Sequence, residues 1–136
     1  MIGLVLVSHG SVGEVLLRTA SEIVGPFESA EYLTIERHDD CDKVHKELEE
    51  LIRKVDQGHG VIILADMFGG TACNISLRLI ESCNIEVVTG MNLPMLLKLN
   101  TERNQNDDVA AVCQLIKYYG QRNIMVAGDV LKEREL

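Results

Sequence analysis

The sequence has no tryptophan, and its three tyrosines and two phenylalanines make aromatics only 4% of 136 residues. So thin an aromatic complement argues against a base-stacking surface for single-stranded nucleic acid. Basic residues are also scarce: 13 Lys and Arg face 21 Asp and Glu, a net charge of −8. That balance argues against nucleic acid or an anionic membrane as the main partner and leaves a protein partner open. None of the four cysteines, Cys41, Cys73, Cys83 and Cys113, stands in a C-x-x-C pair. A zinc ribbon or a thioredoxin-type site is therefore not indicated, and free thiols in a reducing compartment are the simpler reading. No apolar run approaches the ~20 residues of a membrane span. The opening run Met1–Val7 is apolar but short, and has neither a basic leader nor a small-residue cleavage site. The expected location is cytoplasmic.

What is present is an ordinary globular composition, 46% hydrophobic and 25% charged, in a chain of single-domain length. One domain over residues 1–136 is expected, with a core large enough to need no metal or disulfide. Strand and helix patterns alternate. Ile2–Val7 and Val61–Ala65 are continuous aliphatic runs, as in strands covered on both faces. Tyr32–Ile35 and Ile85–Thr89 read as two more strands. Val12, Val15, Leu16, Thr19, Ala20 and Ile23 recur at helical spacing, with Gly25-Pro26 ending that helix. Asp39, Asp40 and Asp42 mark a second helix start, and Val44, Leu48, Leu51, Ile52 and Val55 its inner face. Ala72, Ile75, Ser76, Leu79, Ile80 and Cys83 place a third helix. Pro94 opens a short one. Asn106-Asp107-Asp108 caps a last helix, with Val112, Cys113, Ile116 and Tyr119 inside and Gly120 at its end. Asn123–Ala127 reads as a further short strand. The expected fold is α/β: a three-layer αβα arrangement around a mostly parallel four-stranded sheet, order 2-1-3-4.

In open sheets of this kind, chemistry sits beyond the carboxyl ends of the strands, where strand order reverses. Three strand ends carry unusual sequence: Ser8-His9-Gly10, Asp66-Met67-Phe68-Gly69-Gly70-Thr71 and Gly90-Met91-Asn92-Leu93-Pro94. With the first and third strands adjacent, His9 and Asp66 face each other. A histidine is nucleophilic through one ring nitrogen when a carboxylate holds the proton on the other. Gly69 and Gly70 let backbone approach an anion, a helix start near Thr71 points N–H groups at it, and the Thr71 hydroxyl adds a donor. The set suits a histidine that accepts a phosphoryl group. The plainer alternatives are that His9 packs or caps, that Asp66 caps the third helix, and that Gly-Gly is a turn. His38, Cys41 and His45 have spacing that permits a metal site, but no fourth ligand is evident. His59 reads as a surface loop residue.

These motifs resemble the IIA component of the mannose (mannose/fructose/sorbose) family of the bacterial phosphoenolpyruvate-dependent sugar phosphotransferase system. The likeness runs from Ile2 to about Gly120. Val7-Ser8-His9-Gly10 resembles the family's phosphorylation site, Asp66, Gly69, Gly70 and Asn74 its second motif, and Val88–Leu96 its third. Met67 and Phe68 depart from the hydroxyl residue and Trp common in the family, and Ala72 from a common Pro. The resemblance implies a phosphotransferase relay without metal or other cofactor. HPr would donate the phosphoryl group to His9, and a histidine-bearing IIB partner would receive it for sugar uptake through membrane permease subunits that this chain meets only indirectly. It also implies a homodimer that exchanges an antiparallel fifth strand, for which Asn123–Ala127 is the candidate. A chain ending at Leu136 would be a stand-alone IIA protein.

Other readings share parts of this pattern. The phosphocarrier subunit of dihydroxyacetone kinase also has a first strand ending in histidine, but usually lacks the Gly-Met-Asn-Leu-Pro type of segment. A regulatory module read through its phosphorylation state stays open. A histidine phosphatase needs arginines to clamp phosphate, and none falls at the three strand ends. Neither G-x-x-x-x-G-K-[ST] nor G-x-G-x-x-G occurs.

Overall fold

The computed structural model describes residues 1–67 and 84–135. In order these form β1 (Gly3–His9), α1 (Val12–Val24), β2 (Ala30–Ile35), α2 (Cys41–Val55), β3 (Val61–Ala65), β4 (Ile85–Val88), α3 (Leu93–Gln105), α4 (Val109–Arg122) and α5 (Ala127–Glu135). The third helix read from Ala72 to Cys83 lies outside the described residues. The sheet is four-stranded in the order β2-β1-β3-β4, and all three pairings are parallel. Aliphatic strands buried on both faces dictate this outcome, because each face must be covered by helices.

The alternation of side chains along the strands divides the core in two. Leu4, Leu6, Ile62 and Leu64 face α1, α3 and α4, where they meet Ala20, Leu96, Leu99, Val112 and Ile116. Val5, Val7, Leu33, Ile35 and Ile63 face the opposite way, onto Val44, Leu48 and Ile52 of α2. Helices thus cover both sheet faces, as the sequence pattern indicates. Each fully buried Leu or Ile contributes about 1.5–3 kcal/mol by leaving water.

Several local expectations need correction. β1 runs on past Val7 to His9, because Ser8 and His9 still register with Thr34 and Ile35 of β2. The helix after Pro94 is not short but spans 13 residues. Gly120 does not end α4: the helix continues to Arg122. A Cβ at Gly120 would lie 2.6 Å from Met95 Cγ, so glycine is there for the close approach of α3. Tyr119 is not an inner residue; it is partly exposed, with Lys98 Nζ 5.5 Å from its ring centre. On α1, Gly13 and Ala20 are buried while Val12, Val15 and Ile23 are exposed. The inner face is turned toward a glycine, which hydropathy does not register. Asn123–Ala127 is not a strand within the single chain. Residues 123–126 join no ladder, and Ala127 already opens α5. Among the described residues the segment pairs with no strand of its own chain, and the run that follows, Asp129 to Glu135, is helix-forming.

Candidate active site

The order β2-β1-β3 places the reversal of strand order at β1, so the switch point lies between the carboxyl ends of β1 and β3. Val7 registers with Ala65, and the chain then delivers His9 and Asp66 to the same rim. Their side chains meet: His9 Nδ1 lies 2.9 Å from Asp66 Oδ2. The same oxygen accepts the His9 backbone N–H at 2.9 Å. The other carboxylate oxygen accepts the Met67 N–H at 2.9 Å.

Partial burial alone raises the Asp66 carboxyl pKa, but the His9 amide, the His9 ring and the Met67 amide together outweigh it and hold the carboxyl below its ordinary 3.8. Asp66 is therefore ionised at neutral pH and can only accept. The hydrogen in the contact is therefore carried by His9 Nδ1, and Nε2 is the ring nitrogen that lies outside it. The His9 side chain is 45% exposed, against 18% for Asp66. The His9 ring faces solvent and the carboxylate bonded to it is shielded.

The turn that carries His9 is fixed on several sides. Gly10 takes φ +55°, a conformation that suits glycine, and its N–H reaches Ile35 O of β2 at 3.1 Å. Ser8 is fully buried. Its hydroxyl accepts from Gly13 N–H at 2.8 Å and donates to Gly10 O at 3.3 Å. Sequence reasoning gave Ser8 no task; the available signal is a hydroxyl one residue before the histidine, on a strand otherwise aliphatic. The Gly90–Pro94 motif is scaffolding. Met91 N–H ties to Ala65 O at 3.1 Å at the end of β3. Asn92 Oδ1 caps α3 by accepting from Met95 N–H, and its amide donates to Gly120 O at 3.3 Å.

Gly69, Gly70 and Thr71 lie outside the described residues, as do Phe68, Ala72 and Asn74. His38, Cys41 and His45 do not form a metal centre. Among the described residues no group of three or more His, Cys, Asp or Glu side chains is placed to hold an ion, and His45 Nε2 instead pairs with Glu49 at 3.0 Å, one helical turn on. His59 lies in the loop before β3, 44% exposed, and its Nδ1 is 3.0 Å from the Met1 amine.

The chain is similar to a set of known proteins along most of its length. It is 25% identical over 124 residues to the PTS system mannose-specific EIIAB component of Escherichia coli K12, covering 90% of this chain but 38% of that relative. It is 24% identical over 134 residues to the PTS system fructose-specific EIIA component of Bacillus subtilis, covering 98% of this chain and 91% of the relative. In three dimensions it resembles the mannose/sorbose specific IIA subunit from Enterococcus faecalis, with a TM-score of 0.83 at 24% identity over 92% of this chain and 93% of that one. The phosphotransferase system component EIIA from Streptococcus agalactiae gives 0.84 at 23% identity over 95% and 99%. Those likenesses establish the fold, and the family model for the PTS system fructose IIA component matches residues 3–117: the chain belongs to that EIIA-man family.

Proposed function

We propose that this protein is a phosphocarrier that accepts a phosphoryl group from phosphorylated HPr on Nε2 of His9 and passes it to a IIB partner. The observation that carries the reading is the convergence of the His9 ring and amide on one ionised oxygen of Asp66. This fixes the tautomer that leaves Nε2 nucleophilic. In the transfer, the Nε2 lone pair forms a bond to phosphorus as the bond to the donor's ring nitrogen breaks. That nitrogen keeps the electron pair. Positive charge growing on the His9 ring is stabilised through Nδ1–H by the Asp66 carboxylate. Positioning and electrostatics supply most of what phosphoryl transfer needs. Gly69, Gly70 and Thr71 are proposed as donors to the phosphoryl oxygens. No metal or other cofactor enters the scheme.

Family membership supports the coarse role, a component of a sugar phosphotransferase system. Delivery of the phosphoryl group toward sugar uptake, through a IIB partner and membrane permease subunits, is the finer part of the proposal. A cytoplasmic location belongs with it, and no helix among the described residues is long and apolar enough to cross a membrane. A homodimer is also proposed. Among the described residues β4 is paired on one side only, and beside it runs a groove lined by Glu86, Val88, Cys113, Lys117 and Ile124. Ile124, Met125 and Val126 are 77%, 64% and 68% exposed, an apolar segment of the kind that a second copy would cover.

The test is incubation with phosphoenolpyruvate, enzyme I and HPr, followed by mapping of acid-labile phosphate. Label on His9, and none in His9→Ala, is the expected result. Full labelling of His9→Ala would overturn the proposal.

A further inference from the structure

Along β1, Leu4 and Leu6 point into the core shared with α1, and the alternation puts Ser8 on that same face. A fully buried hydroxyl there is costly unless bonded. Ser8 is bonded twice, and its two partners, Gly10 O and Gly13 N–H, lie on the far side of His9 in the chain. Gly13 N–H is one of the donors at the start of α1 that no helical carbonyl can satisfy. Ser11, at the capping position of α1, makes no side-chain cap bond. Ser8 therefore does this work from the strand, and its hydroxyl spans the turn that carries the nucleophile.

We propose that Ser8 is a positioning residue for His9. Its hydroxyl fixes the turn between β1 and α1 so that the His9 amide and ring both reach Asp66 Oδ2. The inference rests on the proposed role of His9, but its central consequence is visible without any phosphoryl transfer. Loss of the hydroxyl leaves a buried N–H unpaired and frees the turn. The Nδ1–H···Asp66 bond then weakens, and the ring drifts toward the Nε2–H tautomer that free histidine prefers.

The experiment compares Ser8→Ala with Val7→Ala, a core truncation on the same strand that removes packing without touching the turn. Ring ¹⁵N shifts of His9 in the unphosphorylated protein give the tautomer ratio, and rapid-quench transfer from phospho-HPr gives the rate. Ser8→Ala should raise the Nε2–H fraction and slow transfer about tenfold or more, while Val7→Ala leaves the ring signature unchanged. Ser8→Cys serves the same comparison should the alanine variant not fold. A Ser8 variant whose tautomer ratio and rate match those of Val7→Ala refutes the inference. If the unaltered protein takes no phosphate, the reading of His9 as acceptor falls, and the tautomer ratios still decide the role of Ser8.

Discussion

The His9 ring and the His9 backbone amide end on the same atom, Asp66 Oδ2, each at 2.9 Å. One carboxylate oxygen thus fixes both the place of the residue and the rotation of its ring. A rotation that swung Nε2 inward would cost the ring bond while the amide bond persisted. The ring face is therefore set before any encounter, which is what the proposed relay would need to avoid reorganisation when a donor docks.

Asp66→Asn should keep the fold and slow phosphoryl transfer by about 10²–10⁴-fold. An amide can still accept from the His9 N–H, but it does not stabilise a cationic ring and can select the other tautomer. Rapid-quench kinetics with phospho-HPr measures the loss. An unchanged rate would reduce Asp66 to a structural cap.

Acid should act on the pair in a defined direction. The Asp66 carboxyl lies below 3.8 in the folded protein, so its contribution to stability is complete above the unfolded value. That contribution is lost only as pH falls through the lower folded value. A ¹³C titration of the Asp66 carboxyl should give a midpoint under 3.8, the ordinary value. In His9→Ala, which removes the ring bond, the midpoint should move up. A midpoint that ignores His9→Ala would mean the ring does not hold the carboxylate.

Val12 and Met67 are 48% and 53% exposed and follow His9 and Asp66 in the chain, the first three residues on and the second directly. Exposed apolar side chains close in sequence to the proposed phosphoryl acceptor suit a docking partner. Val12→Asp and Met67→Asp should each raise the HPr concentration for half-maximal transfer about tenfold, equivalent to about 1.4 kcal/mol. The melting temperature should hardly move. Normal dependence on HPr in both variants would exclude this rim from the contact.

Arg103 is 1% exposed and donates to Ile2 O at 2.9 Å, Ser29 O at 3.2 Å and Glu28 O at 2.7 Å. Burial pulls its pKa down to about 10, still far above neutral. Arg103→Met keeps much of the stem and leaves three carbonyls without this donor. It should cost at least ~2 kcal/mol, roughly 5–10 °C in melting temperature. Calorimetry showing no loss would mean water replaces the guanidinium at no cost.

The proposed dimer should depend on the end of the chain. Truncation after Arg122 removes the exposed Ile124–Val126 run and leaves α4 intact. Light scattering should then give a monomer from the truncated chain and a dimer from the full one. A folded, dimeric truncation product would place the interface elsewhere.

The strands are legible because they rest on simple periodicities, and the meeting of His9 with Asp66 follows once the order 2-1-3-4, common in such folds, is taken. Buried parallel strands are unbroken aliphatic runs, and adjacent parallel strands deliver their following residues to one rim. Gly120 was misread because a glycine at a helix end and a glycine under a crossing side chain look identical in one dimension; only the position of Met95 separates them. Ser8 was passed over because its partners, Gly10 O and Gly13 N–H, are backbone atoms, which every residue possesses. The segment after Arg122 was read from its apolar content, but a strand exists only with a neighbour to pair with.

Arg103 also bears on the order of events as the chain is made. Its three carbonyl partners belong to residues 101, 74 and 75 positions earlier. At about 5–20 residues per second, Ser29 is synthesised roughly 4–15 s before the side chain that will bind its carbonyl. Until then the start of β1 is held to the approach to β2 by backbone alone, through Leu4 N–H to Ser29 O at 3.0 Å. The guanidinium is thus a late clamp, added across the amino end of the sheet once α3 has been made.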